Sequence, residues 1–289
     1  MKKNLRHVVL LNIYLGIAIL SCMSNFTLSA QENPPKQELE HVKERVSEQV
    51  REPATPDQTV EISSTKDPDW KSYRVMLKGL DAFEKYHAHA PQASPQFILK
   101  PRRLDVSLSG VNLRLASDES SRTIPLASDG SFVLPRDEQA ASQRAELMIN
   151  RKKEMFRWWP LVKSPGVATQ HRRLGDLRLE CEMFWAIHYD DLPFVARNLM
   201  RTVGGPCQTK KVILSFPAEW MGLQAATLVQ GERRMNLAVD KDRSTYSITL
   251  YNPDFSDDAL IELQFDADVV TQPDKKIRNV NGLNVVVKL

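Results

Sequence analysis

Three places in the 289-residue chain gather side chains that could do chemistry. Arg151, Lys152 and Lys153 stand shortly before Arg157, Trp158 and Trp159. Indole faces stack on sugar rings or guanidinium groups, and neighbouring cations hold phosphates or carboxylates. This run therefore reads as a binding patch for an envelope glycan, on the condition that both indoles lie exposed on one surface. Otherwise it is a basic turn followed by core tryptophans. His188, Asp190 and Asp191 put an imidazole and two carboxylates within four residues, as acid–base or metal chemistry would need. A strand end followed by a helix cap would use the same residues, and a hydrolase built on His188 and Asp190 requires a concave pocket holding both. His171, Arg172 and Arg173 would suit an anion, joined by Lys210 and Lys211 if the fold brings them near. As solvated turns they need no ligand. His87 and His89 are two residues apart, a spacing that does not share a helical face, so they read as a frayed, solvated helix end and not as a metal pair.

The familiar catalytic patterns are missing. The chain has no G-x-S-x-G, no H-E-x-x-H, no Walker loop, no G-x-G-x-x-G and no C-x-x-C. No catalytic residue, metal ligand or cofactor is assigned, and a non-enzymatic protein is the expectation.

The first residues set the expected compartment. Lys2, Lys3 and Arg6 precede an apolar run from Val8 to Leu20, and Leu28-Ser29-Ala30 follows, the three-part plan of a secretory signal peptide over 1–30. The run is too short to cross a bilayer comfortably. Cleavage after Ala30 gives a periplasmic or secreted protein. A competing reading is lipidation at Cys22, since Ile19-Leu20-Ser21-Cys22 resembles the lipobox of bacterial lipoproteins, and this would anchor the chain in the outer membrane. Membrane contact is expected only in that case. The segment carries three basic and no acidic residues, so the formal charge of +3 falls to 3 − 3 = 0 without it. A near-neutral domain gives no electrostatic case for nucleic acid. Cys181 and Cys207 remain, an even count in an oxidising compartment, and a disulfide between them is expected.

Residues 31–68 are rich in Glu, Lys, Gln, Pro, Ser and Thr, lack aromatics, and read as a disordered tether. Within them Gln37 to Val50 carries a thin helical stripe. Over 69–91 Trp70, Tyr73, Met76, Leu77, Leu80, Phe83 and Tyr86 recur at three- and four-residue steps, which predicts an amphipathic helix capped by Asp69. From Phe97 the pattern becomes short alternating strands with turns. It includes an expected strand over 103–111, and Asp129-Gly130 between two apolar runs is a hairpin signal. Residues 173–187 have apolar side chains at Leu177, Leu179, Cys181, Met183, Trp185 and Ile187, a period of two that predicts a strand with one buried face. A short helix from Leu192 to Thr202, capped by Asp190 or Asp191, stops at Gly204-Gly205. Further strands run to the end. The expected fold is mainly β, with one or two β-sandwich-like units, a preceding amphipathic helix and a short inserted helix. A module over 97–160 and a second β-rich domain over 161–289 divide it.

The stretch from Val106 to Pro135, with Asp129-Gly130-Ser131-Phe132-Val133-Leu134, resembles the carboxypeptidase regulatory-like, transthyretin-like β-sandwich modules. The remainder is similar to an uncharacterised bacterial exported protein. The resemblance implies a non-catalytic β-sandwich that recognises, stabilises or spaces. Three classes follow: a non-enzymatic envelope binding or assembly protein whose partner is an unknown envelope protein or glycan, a glycan, peptidoglycan or lipopolysaccharide binder using Trp158 and Trp159, and an unfamiliar hydrolase around His188 and Asp190.

Overall fold

The computed structural model describes residues 67–103, 105–220 and 222–267, together with the backbone of a strand at 284–287. The expected signal segment, Cys22 and the tether as far as residue 66 lie outside those residues. A short strand, β1 (Pro68–Ser72), precedes helix α1 (Tyr73–Tyr86), which closes in a three-ten turn at His87–His89. Strands β2 (Gln96–Pro101), β3 (Leu113–Ala116), β4 (Ser121–Ile124) and β5 (Ser131–Phe132) follow. Next come the five-residue helix α2 (Glu138–Ser142) and strands β6 (Glu146–Lys152) and β7 (Phe156–Leu161). Strand β8 (His171–Arg173) runs directly into helix α3 (Leu174–His188), and α4 (Phe194–Thr202) follows it. The chain completes β9 (Val212–Pro217), β10 (Leu223–Gln230), β11 (Arg233–Val239), β12 (Thr245–Ile248), β13 (Leu260–Phe265) and β14 (Asn284–Val287).

The fold is mainly β, as expected. Among the described residues there are three antiparallel sheets: four strands in the order β1-β6-β3-β4, three in the order β5-β2-β7, and seven in the order β14-β9-β12-β11-β10-β13-β8. The last curls into an open half-barrel. Several local expectations differ from the structure. Helix α1 begins at Tyr73, because Asp69 and Trp70 are taken up in pairing β1 with β6. Asp69 is not a cap: it is buried and accepts a hydrogen bond from Trp158 Nε1 at 3.4 Å. The expected strand over 103–111 is turn and coil among its described residues. The Asp129-Gly130 turn is present, with Gly130 at φ 89°, but the strand after it pairs with β2 and not with β4. Helix α4 stops at Gly204 and Gly205, whose positive φ lets the Gly205 N–H reach back to the Met200 carbonyl at 2.8 Å.

The largest difference is at 174–188, which is the helix α3 and not a strand. Leu174, Leu177 and Cys181 pack into one apolar cluster, and Leu179, Met183 and Ile187 into another. Two helical stripes on opposite faces interleave along the sequence as an apparent period of two. A helix that is apolar on more than one face is a buried helix, and Leu, Glu, Met and Arg with only one β-branched residue, Ile187, favour that choice. The first cluster is filled by α1, the two smaller sheets and the face of α3 that carries Leu179, Met183 and Ile187. The second is the inner face of the half-barrel closing on the face of α3 that carries Leu174, Leu177 and Cys181. Both clusters belong to one compact unit.

Cys181 and Cys207 form a disulfide, tying α3 to the segment after α4 with Cα atoms 5.8 Å apart. Closing a loop of this separation restricts the unfolded chain by about 3.5 kcal/mol in the chain-entropy account. At the start of α3, Gly175 sits where a Cβ would fall 2.0 Å from the His89 carbonyl oxygen. Its own N–H donates to the Asp257 carbonyl at 2.9 Å, so the backbone cannot back away freely. Gly175→Ala is expected to destabilise the fold by about 3 kcal/mol, read as a lower denaturation midpoint in urea. A variant with an unchanged midpoint would show that the start of α3 can shift.

Candidate functional site

The polar residues of α3 are held as firmly as its apolar ones. Asp176 is 1% exposed and Glu180 3%, and they stand four residues apart on one helical face. Asp176 accepts from the Ser164 N–H at 2.8 Å and from Ser164 Oγ at 2.6 Å. Glu180 accepts from Trp159 Nε1 at 3.0 Å, from the Val162 N–H at 3.4 Å and from Arg172 Nη2 at 2.9 Å. The stripe thus clamps the end of β7 and the segment beyond it against the helix. Burial works against the charge of Arg172, but Glu180 beside it, with Tyr246 and Asp176, outweighs burial, and the net push is toward the protonated form. Burial pushes the Tyr246 phenol well up, with Arg172 opposing. Glu182, bonded by Gln208 Nε2 at 2.7 Å, is likewise raised by burial.

Arg172 also lines a cleft of about 440 Å³, within the ordinary size range of small-molecule sites. Its walls come from separate parts of the chain: Ile98 from β2, Leu161 and Lys163 at the end of β7, Arg172 from β8, and Glu219 and Leu263 from the half-barrel. Lys100 stands in the same wall, 5.2 Å from the centre of the Trp159 ring. Arg172 Nε is buried without a hydrogen-bond partner.

The structure places the sequence-derived candidates elsewhere or inside. Trp158 and Trp159 are 5% and 2% exposed, so the pair of surface indoles that stacking on a sugar requires is not there. Successive residues of β7 point to opposite faces. Trp158 enters the first core, and Trp159 packs on the Phe184 ring at 4.5 Å. Arg151 donates to the Asn150 and Ser109 carbonyls, and Lys153 pairs with Asp67 at 2.8 Å. Lys152 is exposed. Arg157 is half-buried with its Nε unpartnered, and burial, with Arg102 nearby, pulls its pKa down to about 10. Lys210 and Lys211 are exposed at the start of β9 and do not line the cleft beside Arg172. His87 and His89 form an ordered turn in place of the frayed end expected, His87 contacting the Ala93 carbonyl and His89 paired with Asp257 at 3.0 Å.

His188, Asp190 and Asp191 lie at the end of α3, and none of them lines the cleft. His188 Nδ1 lies 2.8 Å from Asp191 and its Nε2 3.1 Å from the Trp158 carbonyl, so neither nitrogen faces a hydroxyl or thiol nucleophile. Lys71 holds the same Asp191 carboxylate at 2.5 Å, and Asp190 pairs with Lys78 at 2.7 Å. Neither carboxylate caps α4, whose N-cap position is taken by Pro193. This group ties β1, α1 and α3 together. Compared with known proteins, the chain matches no family model, no curated protein and no solved structure.

Breaking a buried ion pair leaves an uncompensated charge. Glu180→Gln is therefore expected to cost about 3 kcal/mol, and Arg172→Met combined with it to recover a good part of that loss. Urea denaturation of the two single variants and the double closes the cycle, and strict additivity would show that the pair is not coupled. Burial opposes the charge on Asp191, but the His188 and Lys71 bonds hold its carboxyl down at about 2. Because that folded value is depressed, the associated stability is present above pH 4 and is lost as pH falls through about 2. The side chain is 45% exposed. After discounting for solvent screening, Asp191→Asn should lose about 1 kcal/mol at pH 7 and almost nothing near pH 2, measured as the pH dependence of unfolding free energy.

Proposed function

We propose that the chain is an exported, non-enzymatic binding protein of the cell envelope, and that the cleft lined by Arg172 is the seat of its ligand. The cleft carries this reading: it joins apolar walls to a few polar and charged groups, the usual composition of a small-molecule site, and neither His nor Cys lines it. The opening basic and apolar run supports export, and the disulfide suits an oxidising compartment. The likeness of 106–135 to transthyretin-like modules points the same way, toward recognition and not turnover. A glycan stacked on Trp158 and Trp159 would need those rings at the surface, so the cleft is preferred to them as the binding element.

Two mass measurements test the proposal on protein purified from the envelope. The intact mass should begin at Gln31, or at a lipid-modified Cys22, and a chain retaining 1–30 unmodified would overturn export. Native mass spectrometry should show a small molecule carried by the wild type and excluded by Leu161→Trp, which fills the cleft from its wall. A bare chain in both would overturn the cleft as the ligand's seat, as would an adduct equally retained by the variant.

A further inference from the structure

The hydrogen-bonding groups of the cleft are not evenly satisfied. Among its carboxylates, Asp129 accepts from the Ser131 N–H at 2.9 Å and from Ser131 Oγ at 2.7 Å. Asp129 and Glu219 each have further interactions, and so does Lys100. Behind the wall, both oxygens of Glu180 are taken by Trp159, Val162 and Arg172. Two charged groups of the cleft are donors left unsatisfied. Arg172 Nε is buried without a partner, although one Nη is bonded to Glu180. Lys163 is exposed at the rim with no ion pair among the described residues. Beside them Ile98, Leu161 and Leu263 offer apolar wall. A buried guanidinium N–H left unpaired costs free energy that a bound acceptor would recover, and a charged acceptor recovers more than a neutral one.

From this imbalance, and resting on the cleft being a ligand seat, we infer that the ligand is a small anionic amphiphile: a carboxylate or phosphate head held by Arg172 and Lys163, with an apolar body along Ile98, Leu161 and Leu263. A head that supplies only acceptors matches what the cleft lacks. The apolar walls account for the rest of the volume, and neither part alone satisfies both.

Calorimetric titration of the full chain, with each probe below its micelle concentration, tests this. The probes are decanoate, decyl phosphate, decanol, decyltrimethylammonium and inorganic phosphate. Decanoate or decyl phosphate should bind at least tenfold more tightly than the other three, and the ratio between those two identifies the head. Lys163→Glu, an exposed substitution that leaves the Glu180 network intact, should weaken the anionic amphiphiles about tenfold. Raising the salt should weaken them too, as expected for a partly exposed charge contact. Leu161→Trp should remove their binding. Decanol or decyltrimethylammonium binding as tightly as the anions, with sensitivity to Leu161→Trp, would overturn the anionic ligand and leave the cleft as a binding seat. Inorganic phosphate binding as tightly as decyl phosphate would overturn the amphiphile. Anion binding indifferent to Lys163→Glu would overturn the role of that rim. No probe binding at all would overturn both this inference and the cleft.

Discussion

The burial of α3 with its charged side chains still on it is the constraint to which most of the structure answers. A carboxylate taken out of water loses its hydration and is costly to bury unless donors replace it. Asp176 and Glu180 are met by Ser164, Trp159, Val162 and Arg172. Arg178 on the same helix donates to the Leu250, Asn252 and Phe255 carbonyls and to Asp257. Most of these bonds fix a segment outside the helix, so the helix serves as the internal frame on which loops of both cores are hung. Apolar burial drives the collapse, and these bonds select a collapsed arrangement in which the buried carboxylates of α3 are met by donors.

The cleft follows from that frame. Glu180 draws the end of β7 and the Arg172 of β8 toward the same point, which brings the wall of the three-stranded sheet to the rim of the half-barrel. Arg172 donates to Glu180 and also lines the cleft, so the same residue that closes the core borders the opening. The disulfide and the tight approach of Gly175 to His89 hold the helix along its length. A rigid support of this kind keeps a site in one geometry with little ordering left to do on binding.

Much of the fold was legible because its signals are local. Beyond Phe97 most of the chain forms short strands and turns, as alternation and turn residues indicated, and the Gly204-Gly205 stop of α4 was readable from residue type alone. The pairing of Cys181 with Cys207 could be expected from their being two in number. Trp158 and Trp159 were visible as residues but not as to which way they face, because a strand's two faces are indistinguishable until something packs on each. Of the cleft, only Arg172 carried any signal, as part of a basic run. Ile98, Leu161, Lys163 and Leu263 look like ordinary strand residues.

By itself the sequence determined a mainly β composition, the positions of most strands and turns, the available cysteine pair and the lack of any familiar catalytic constellation. These depend on residue type and on periodicity over a few residues. Only the tertiary structure decided that 174–188 is a helix, that β5 pairs with β2, that both tryptophans are buried and that segments distant in sequence wall a cleft. A helix buried on two faces carries no single stripe to announce it, and its apolar residues interleave into the alternation of a strand. Which face of an element is inside, and which distant side chains meet, depends on partners tens to more than a hundred residues away, and no local pattern encodes them.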